Sequence, residues 1–539
     1  MIMKTIFNRS KVLFTCVALF MATSCSVWEE YNVNPYGVTD EMLKADFNDI
    51  GAYFPQIQQS IYYNLNAGSW EFQLMQNLTA DVWSGYMMSA NPFNGNVNHT
   101  TLALNSGWCE YEWNYTYSKI MSPIFNSIEP LTKEAYPHFW AIAQVIRTMA
   151  MARVADAYGP IIFSAYGKSA TGGDYDSVEA AYDQFFTEIT QAINALTAYI
   201  DEYPGATPFA NFDYFFNGDM IKWVQMASSL KLRLAMRIVK VSPAKAKAMA
   251  EEAMNSKYGV MESGYAGCKG AGYTQPLGDI SGAWNDISMS AVMESLLLGY
   301  EDPRVGKFFK KATDKQVLDA GYEYKGIRMG VRLPSKDTYG GHSALNVSLT
   351  DPGIVMTAAE IWFLRAEGAL RGWNGMGGTA QQLYENGIKA SFAQWGLAGQ
   401  AEAYIASTKL PAGYTDVKNP ENSLSASSPY INKVPVLWDN GADNEIKLQQ
   451  IMIQKYLAMW PEGYEAWSDQ RRTGYPILMP VMVNESQGIF ANTDNVKRVT
   501  YPQGERNNNP TGYQKALQLL GGEDNGNTKL WWDVDGPNF

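Results

Sequence analysis

Apolar residues recur along this chain mostly at helical spacing. Between Phe139 and Tyr158, the residues Phe139, Ile142, Ile146 and Met149 share one face, with Ala143, Ala150, Val154 and Ala157 beside them. Gly159-Pro160 closes that run, so a helix is predicted over the whole stretch. A second helix is predicted from Asp176, where a D-x-x-E arrangement with Glu179 resembles a capping box. Its residues Ala181, Phe185, Ile189, Ala192 and Leu196 turn inward. Lys222 to Val241 repeats the pattern through Trp223, Met226, Ala227, Leu230, Leu234 and Ile238, and Pro243 suits the first turn of a further helix running through Ala253. Helices are also predicted for Ile354 to Gly372, Thr379 to Trp395 and Glu445 to Trp460. From Ala52 to Tyr86 the pattern is mostly helical, with Ile57, Ile61 and Leu65 opposite Gln56, Gln59, Ser60 and Asn64.

Helices that follow one another in pairs, with small residues where they cross, have the form of TPR-like hairpins, although no clean repeat length runs through them. The expected fold class is therefore mainly all-α, with helix pairs supporting a large loop-rich face. Residues 46–257, 354–395 and 445–475 form the scaffold of a single domain spanning 46–539, and 258–353, 396–444 and 476–539 are its loop-rich parts. Asn91 to Ser106 is a further loop by its Asn, Gly and Pro content. Loops this long in a compact domain are usually functional or disordered. Their scattered aromatics favour ordered and functional.

The amino terminus adds a compartment. Lys4, Arg9 and Lys11 precede a short apolar run from Val12 to Ala22, too short to span a bilayer but suited to a secretory signal. Ala22-Thr23-Ser24 then places small residues before Cys25, which resembles a bacterial lipobox with Ala22 standing where Leu is usual. Residues 1–24 read as a lipoprotein signal peptide and 25–45 as a lipidated tether. The Cys25 sulfur would carry diacylglycerol, because only a thiol forms the thioether. More than one acyl chain makes such an anchor stable.

Charge and chemistry narrow the choices. The net charge of −12, with no long basic run, argues against nucleic acid as a partner. Cys109 and Cys268 fit one disulfide or two buried thiols, and a core of this size favours the thiols. His99, His138 and His342 are too widely spaced for an HExxH zinc site, and Leu345 breaks the G-x-S-x-G pattern begun at Gly341. Walker and dinucleotide fingerprints are absent from the sequence, so neither metal nor cofactor is expected. The acids are too numerous to single out a hydrolytic pair.

Several stretches then fall in the order of one family: 77–86 (NLTADVWSGY), 152–161 (ARVADAYGPI), 218–237 (GDMIKWVQMASSLKLRLAMR), Glu301-Asp302-Pro303-Arg304, 359–368 (AEIWFLRAEG), 454–476 (QKYLAMWPEGYEAWSDQRRTGYP) and Leu530-Trp531-Trp532-Asp533. Together they resemble the SusD/RagB family of nutrient-binding outer-membrane lipoproteins, in its SusD-like branch. The resemblance implies an α-helical, TPR-like fold and a lipid-anchored place on the outer membrane facing the exterior. It also implies capture of oligosaccharides or oligopeptides for a SusC-like TonB-dependent barrel, without chemistry. A surface-anchored glycan hydrolase and a structural transporter subunit with no ligand of its own are the competing readings. Here Ser26, Val27 and Trp28 precede the acidic Glu29 and Glu30, which in the family often follow the lipid Cys directly.

Under that implication, the arginines Arg147, Arg153, Arg233, Arg237, Arg365, Arg471 and Arg472 read as structural bridges, since the helices that carry most of them are otherwise apolar. The loop aromatics are the candidate ligand contacts, against the alternative that their rings cap helix ends, and for Tyr111 and Trp113 core packing is the favoured reading. Sugars offer C–H faces to rings and hydroxyls to amides and carboxylates. Trp108, Tyr111 and Trp113, near Asn105 and Asn114, fit that recipe, as does Trp284 with Asn285 and Asp286.

Overall fold

The longest apolar stripe of the sequence becomes the Pro137–Tyr158 helix in the computed structural model, which describes residues 45–62, 68–169, 172–269 and 273–539. The signal-like segment, Cys25, the tether up to residue 44, Asn64 and Leu65 lie outside the described residues. One unit ends at Ala52, and its described part is the turn Ala45–Phe47 followed by the short helix Asn48–Gly51. The second unit, Tyr53–Phe539, holds everything considered below.

Several scaffold helices start where a side chain satisfies free N–H groups of the first turn, and Pro137–Tyr158 and Pro243–Met254 start instead with a proline in that turn. Ser177 accepts from Ala180 N at the start of Val178–Glu202, and Asp219 accepts from Ile221 N and Lys222 N at Met220–Arg237. Pro243 occupies the first turn of Pro243–Met254, where its missing N–H costs nothing. Thr357 caps Ala358–Leu370, Thr379 and Gln382 form a full capping box for Ala380–Gln394, and Asp443 caps Asn444–Ala458. Sequential helices pack as hairpins: 137–158 on 178–202, 220–237 on 243–254, and 358–370 on 380–394. The 358–370 helix also packs on 220–237 and 444–458, which joins the hairpins into one helical body. The mainly helical class and its paired arrangement are as expected.

Local departures have local causes. The cap of the 178–202 helix is Ser177, one residue after the predicted Asp176. Asp176 is held in an extended bridge with Ile161, and its carboxylate accepts from Phe163 N, Ser164 N and Ser164 Oγ. The helix predicted from Ile354 begins only at Ala358, because Gly353–Thr357 is a strand paired antiparallel with Tyr265–Cys268. Its β-branched residues prefer that partner. The stretch predicted as mostly helical after Ala52 divides into Phe54–Ile61, the short turn Ser69–Phe72 and a wide π-helix, Gln73–Asp81. The carboxy-terminal part, expected to be loop, contains the helix Pro510–Leu520, capped by Asn509.

A network of buried ion pairs holds the helices together. Arg233 grips Glu360 through Nε (2.7 Å) and Nη2 (2.6 Å). Arg237 joins Asp156 (3.1 Å) to Glu465 (2.6 Å), and Lys455 reaches Asp469 (2.5 Å). Arg472 forks onto both oxygens of Glu367 (2.7 and 2.8 Å) and contacts Asp469 at 3.1 Å. These residues lie on the 137–158, 220–237, 358–370 and 444–458 helices and on Gly463–Thr473. Arg471 donates to the carbonyls of Asp156 and Lys497, with its guanidinium 3.6 Å over the Trp467 ring. Arg153 takes the Ile61 carbonyl and Glu462, and Arg365 takes the Met376 carbonyl and Glu262. Bridging to loop carbonyls thus accounts for some of these arginines, while Arg233, Arg237 and Arg472 pair chiefly with carboxylates.

Burying ions costs several kcal/mol each, so such pairs hold only when each charge keeps its partner. Burial pushes Glu367, Glu465 and Asp469 up, but the cations around them outweigh it and hold all three carboxyls below their ordinary values. Their stabilisation is therefore complete above about pH 4.5, the ordinary value of a Glu carboxyl, and drains away as pH falls further. Asp156 and Glu360 are shifted up by burial and act in the opposite sense. Asp469→Asn removes the nearest carboxylate of Lys455, leaving it Glu465 at 3.4 Å, and the second contact of Arg472, which keeps its fork on Glu367. It is expected to cost about 3 kcal/mol at neutral pH in denaturant unfolding, and to flatten the loss of stability below about pH 3.8, the ordinary value of an Asp carboxyl.

Candidate functional site

The irregular segments between scaffold helices converge on one carboxylate. Asp286 is buried, and it accepts from Gln73 Nε2 (3.1 Å), Asn91 Nδ2 (2.9 Å) and Lys336 Nζ (2.5 Å). Its backbone carbonyl takes Ala90 N and Ser89 Oγ. The antiparallel pair Met87–Ser89 and Ile287–Met289 sets this register, with Ser89 opposite Ile287. Nearby, Ser69 Oγ donates to Asp279 Oδ2 at 2.6 Å. Four separate loops are pinned in this way, and each carries an aromatic or a polar group to the surface.

Trp70 is half exposed at 50%, and its ring stands edge-on to Tyr111 at 5.5 Å. Trp108 is half-buried, packed edge-on against Phe93 (5.8 Å) and His99 (5.0 Å). Burial lowers His99 to about 4, so at neutral pH its ring is an uncharged packing partner with Nδ1 bonded to the Leu78 carbonyl. Trp284, also half-buried, ends the π-helix Asp279–Ala283, and its carbonyl accepts from Lys336 Nζ. Asn285 adopts a left-handed backbone (φ 52°) and donates to the Gly340 carbonyl at 3.0 Å. Ring contacts join Trp70 to Tyr111 and Trp108 to Phe93, backbone bonds join Tyr111 to Trp108 and Phe93 to Asn91, and Asn91 and Lys336 tie this group to Asp286 and the Trp284 carbonyl. The result is an aromatic rim.

Trp113 lies elsewhere. It is 3% exposed, surrounded by the rings of Tyr117, Tyr158, Tyr175 and Tyr501 at 4.8–5.9 Å. One edge of it meets a groove of about 540 Å³, where Tyr117 stacks on Tyr166 (5.8 Å) and the exposed Phe125 meets Tyr166 edge-on. The exposed Asn114 and Ser118 also line that groove.

Of the sequence candidates, Trp108, Tyr111 and Trp284 thus share the rim. Asn285 and Asp286 set its geometry from below, and Trp113 packs in the interior beside the groove. Trp70, Phe93, Asn91 and Lys336 were not singled out from the sequence. Trp70 follows Gly68-Ser69 within the stretch read as mostly helical, and Phe93 sits between Pro92 and Asn94-Gly95. An aromatic flanked by turn residues was the available signal. Wide π-turns at 73–81, 117–121, 124–128 and 279–283 all adjoin the rim or the groove, consistent with the tendency of such turns to mark functional positions.

Among the described residues no cluster of His, Cys, Asp and Glu is placed to hold a metal, and no helix is long and apolar enough to cross a membrane. Cys109 and Cys268 are both buried free thiols, pushed up by burial, Cys109 to about 11. Glu71, beside Trp70, is also raised by burial. Lys119 nearby acts in the opposite sense.

The helix-pair scaffold thus carries aromatic side chains on loops at its surface. A family model described as SusD-like, "Susd and RagB outer membrane lipoprotein", matches residues 30–533, and the chain belongs to this family of outer-membrane lipoproteins. A chitin-binding SusD homolog from Flavobacterium johnsoniae is 43% identical, with a TM-score of 0.86 over 91% of this chain and 100% of its own. A SusD homolog from Bacteroides vulgatus is 35% identical, with a TM-score of 0.85 over 92% of this chain and 100% of its own. Among curated proteins none matches.

Asp286→Ala removes the acceptor shared by Gln73, Asn91 and Lys336. It is expected to cost about 3 kcal/mol in thermal unfolding and to speed amide exchange at Ala90.

Proposed function

We propose that this chain is a surface nutrient-binding lipoprotein. It captures a neutral oligosaccharide on the rim and hands it to a SusC-like TonB-dependent barrel, without catalysing a reaction. The observation that carries this reading is the half-exposed Trp70, braced edge-on by Tyr111 and joined by the bonds above to Trp108 and Trp284. Rings held rigidly at a surface present flat apolar faces to sugar C–H groups at little entropic cost. The ammonium of Lys336 is already taken up by Asp286 and the Trp284 carbonyl, so the rim offers an anionic ligand no free charge there. The likeness to a chitin-binding homolog supports N-acetylglucosamine oligomers as the first ligands to test. Trp70→Ala and Trp284→Ala should each weaken oligosaccharide binding about tenfold in calorimetry, the equivalent of ~1.4 kcal/mol. Unchanged affinity in both variants would end this reading.

Anchoring through Cys25, with the chain facing the cell exterior, completes the proposal. Its support is the signal-like amino terminus together with membership of a lipoprotein family. Cys25→Ala is expected to move the protein from the membrane fraction to the soluble fraction, and a variant still sedimenting with membranes would contradict the anchor.

A further inference from the structure

The helical run that opens at Trp108 leads from the rim to the groove beside Trp113. Its backbone stays helical through Tyr111–Thr116, Tyr117–Met121 and Ile124–Ile128. Along it Tyr111, Asn114, Ser118, Ser122 and Phe125 are exposed or half-buried, while Trp113, Tyr115, Thr116, Ile120 and Ile124 are buried. Steps of three and four residues put the first five on one face. Tyr111 stands at the rim against Trp70, and the other four line the groove. At ~1.5 Å of rise per residue, this face is about 20 Å long. One helical run thus joins rim and groove by a continuous open face.

We propose that the groove is the outer part of one extended oligosaccharide site. A neutral glycan lying on the rim continues along this helical face, and its further rings pack against Phe125 and Tyr166. The proposal rests on the rim as the place of capture. The groove's volume of about 540 Å³ lies within the ~300–1,000 Å³ of small-ligand sites. Its rings are held in place: Tyr166 stacks on Tyr117 at 5.8 Å and meets Phe125 edge-on at 5.4 Å. Gly167 lets Phe125 pack down, since its backbone is left-handed (φ 75°) and a Cβ there would lie 2.4 Å from the ring. Rings fixed in this way lose little entropy when a sugar C–H face covers them. Polar groups surround them. Asn114 and Asn126 are exposed, Asn126 Nδ2 donates to Ser122 Oγ (3.0 Å), and Glu505 accepts from Tyr175 Oη at 2.7 Å. Each of these three side chains keeps a further oxygen for a sugar hydroxyl. No Lys or Arg is among the described residues lining the groove, so with Glu505 present it favours an uncharged ligand over an anion.

Chain length separates the groove from the rim. Dimers and hexamers of N-acetylglucosamine are titrated by calorimetry into the full mature chain and into its Phe125→Ala, Asn114→Ala and Trp70→Ala variants. The parent should bind the hexamer about tenfold more tightly than the dimer, because only the longer oligomer reaches from Trp70 to Phe125. Phe125→Ala should weaken hexamer binding about tenfold and Asn114→Ala about fivefold, so that the preference for the longer oligomer shrinks. Both positions are open to solvent, and both variants should keep the thermal midpoint of the parent, which separates lost binding from lost folding. Two results would overturn the groove alone. One is equal parent affinity for dimer and hexamer; the other is hexamer binding unchanged in both groove variants while Trp70→Ala weakens it. Hexamer binding weakened by the groove variants but untouched by Trp70→Ala would end the rim reading, and with it an extended site. Failure of both oligomers to bind the parent would end both.

Discussion

The structure depends on charges buried between helices. Arg233, Arg237, Lys455 and Arg472 each meet a carboxylate from another helix, in surroundings where an unpaired ion would cost several kcal/mol. Apolar packing would tolerate many small offsets between two helices, since it is non-directional. A forked guanidinium on a carboxylate tolerates few, because both hydrogen bonds must align. The network therefore specifies how the hairpins stack more sharply than it adds to net stability. That register in turn decides where the intervening loops emerge.

At the aromatic rim the same logic recurs on a smaller scale. Asp286 gathers amide and ammonium donors from three loops, as the carboxylates of the core gather guanidinium groups from helices. With the polar partners satisfied beneath it, the rim can leave Trp70 exposed without losing its position, since the ring is braced by Tyr111. Rigid rings on an acidic protein, with the nearby cation neutralised, match an uncharged ligand better than a charged one.

Much of the scaffold was legible in the sequence because helix period and capping chemistry agree there. Thr379 with Gln382, and Pro243 in a first turn, mark true helix starts. Reading failed where tertiary partners overrode local pattern. Ile354 to Thr357 also fits a helical stripe, and only pairing with Tyr265–Cys268 makes it a strand. Asp176 fits a cap, but its backbone bridges Ile161 and its carboxylate accepts from Phe163 N and Ser164 instead. The site was half legible: the Trp108, Tyr111 and Trp284 rings stood out by their polar neighbours. Trp113, two residues from Tyr111, has the same neighbours but turns inward, because adjacent helical positions face different ways. Trp70 was invisible, since a lone aromatic beside a turn carries no periodic signal.

The most direct test is a crystal structure of the mature protein with an N-acetylglucosamine tetramer. The account predicts sugar rings lying against Trp70 and Trp284, with Asp286 still bonded to Gln73, Asn91 and Lys336 beneath them. An oligosaccharide seated elsewhere on the chain, with the rim bare, would contradict it.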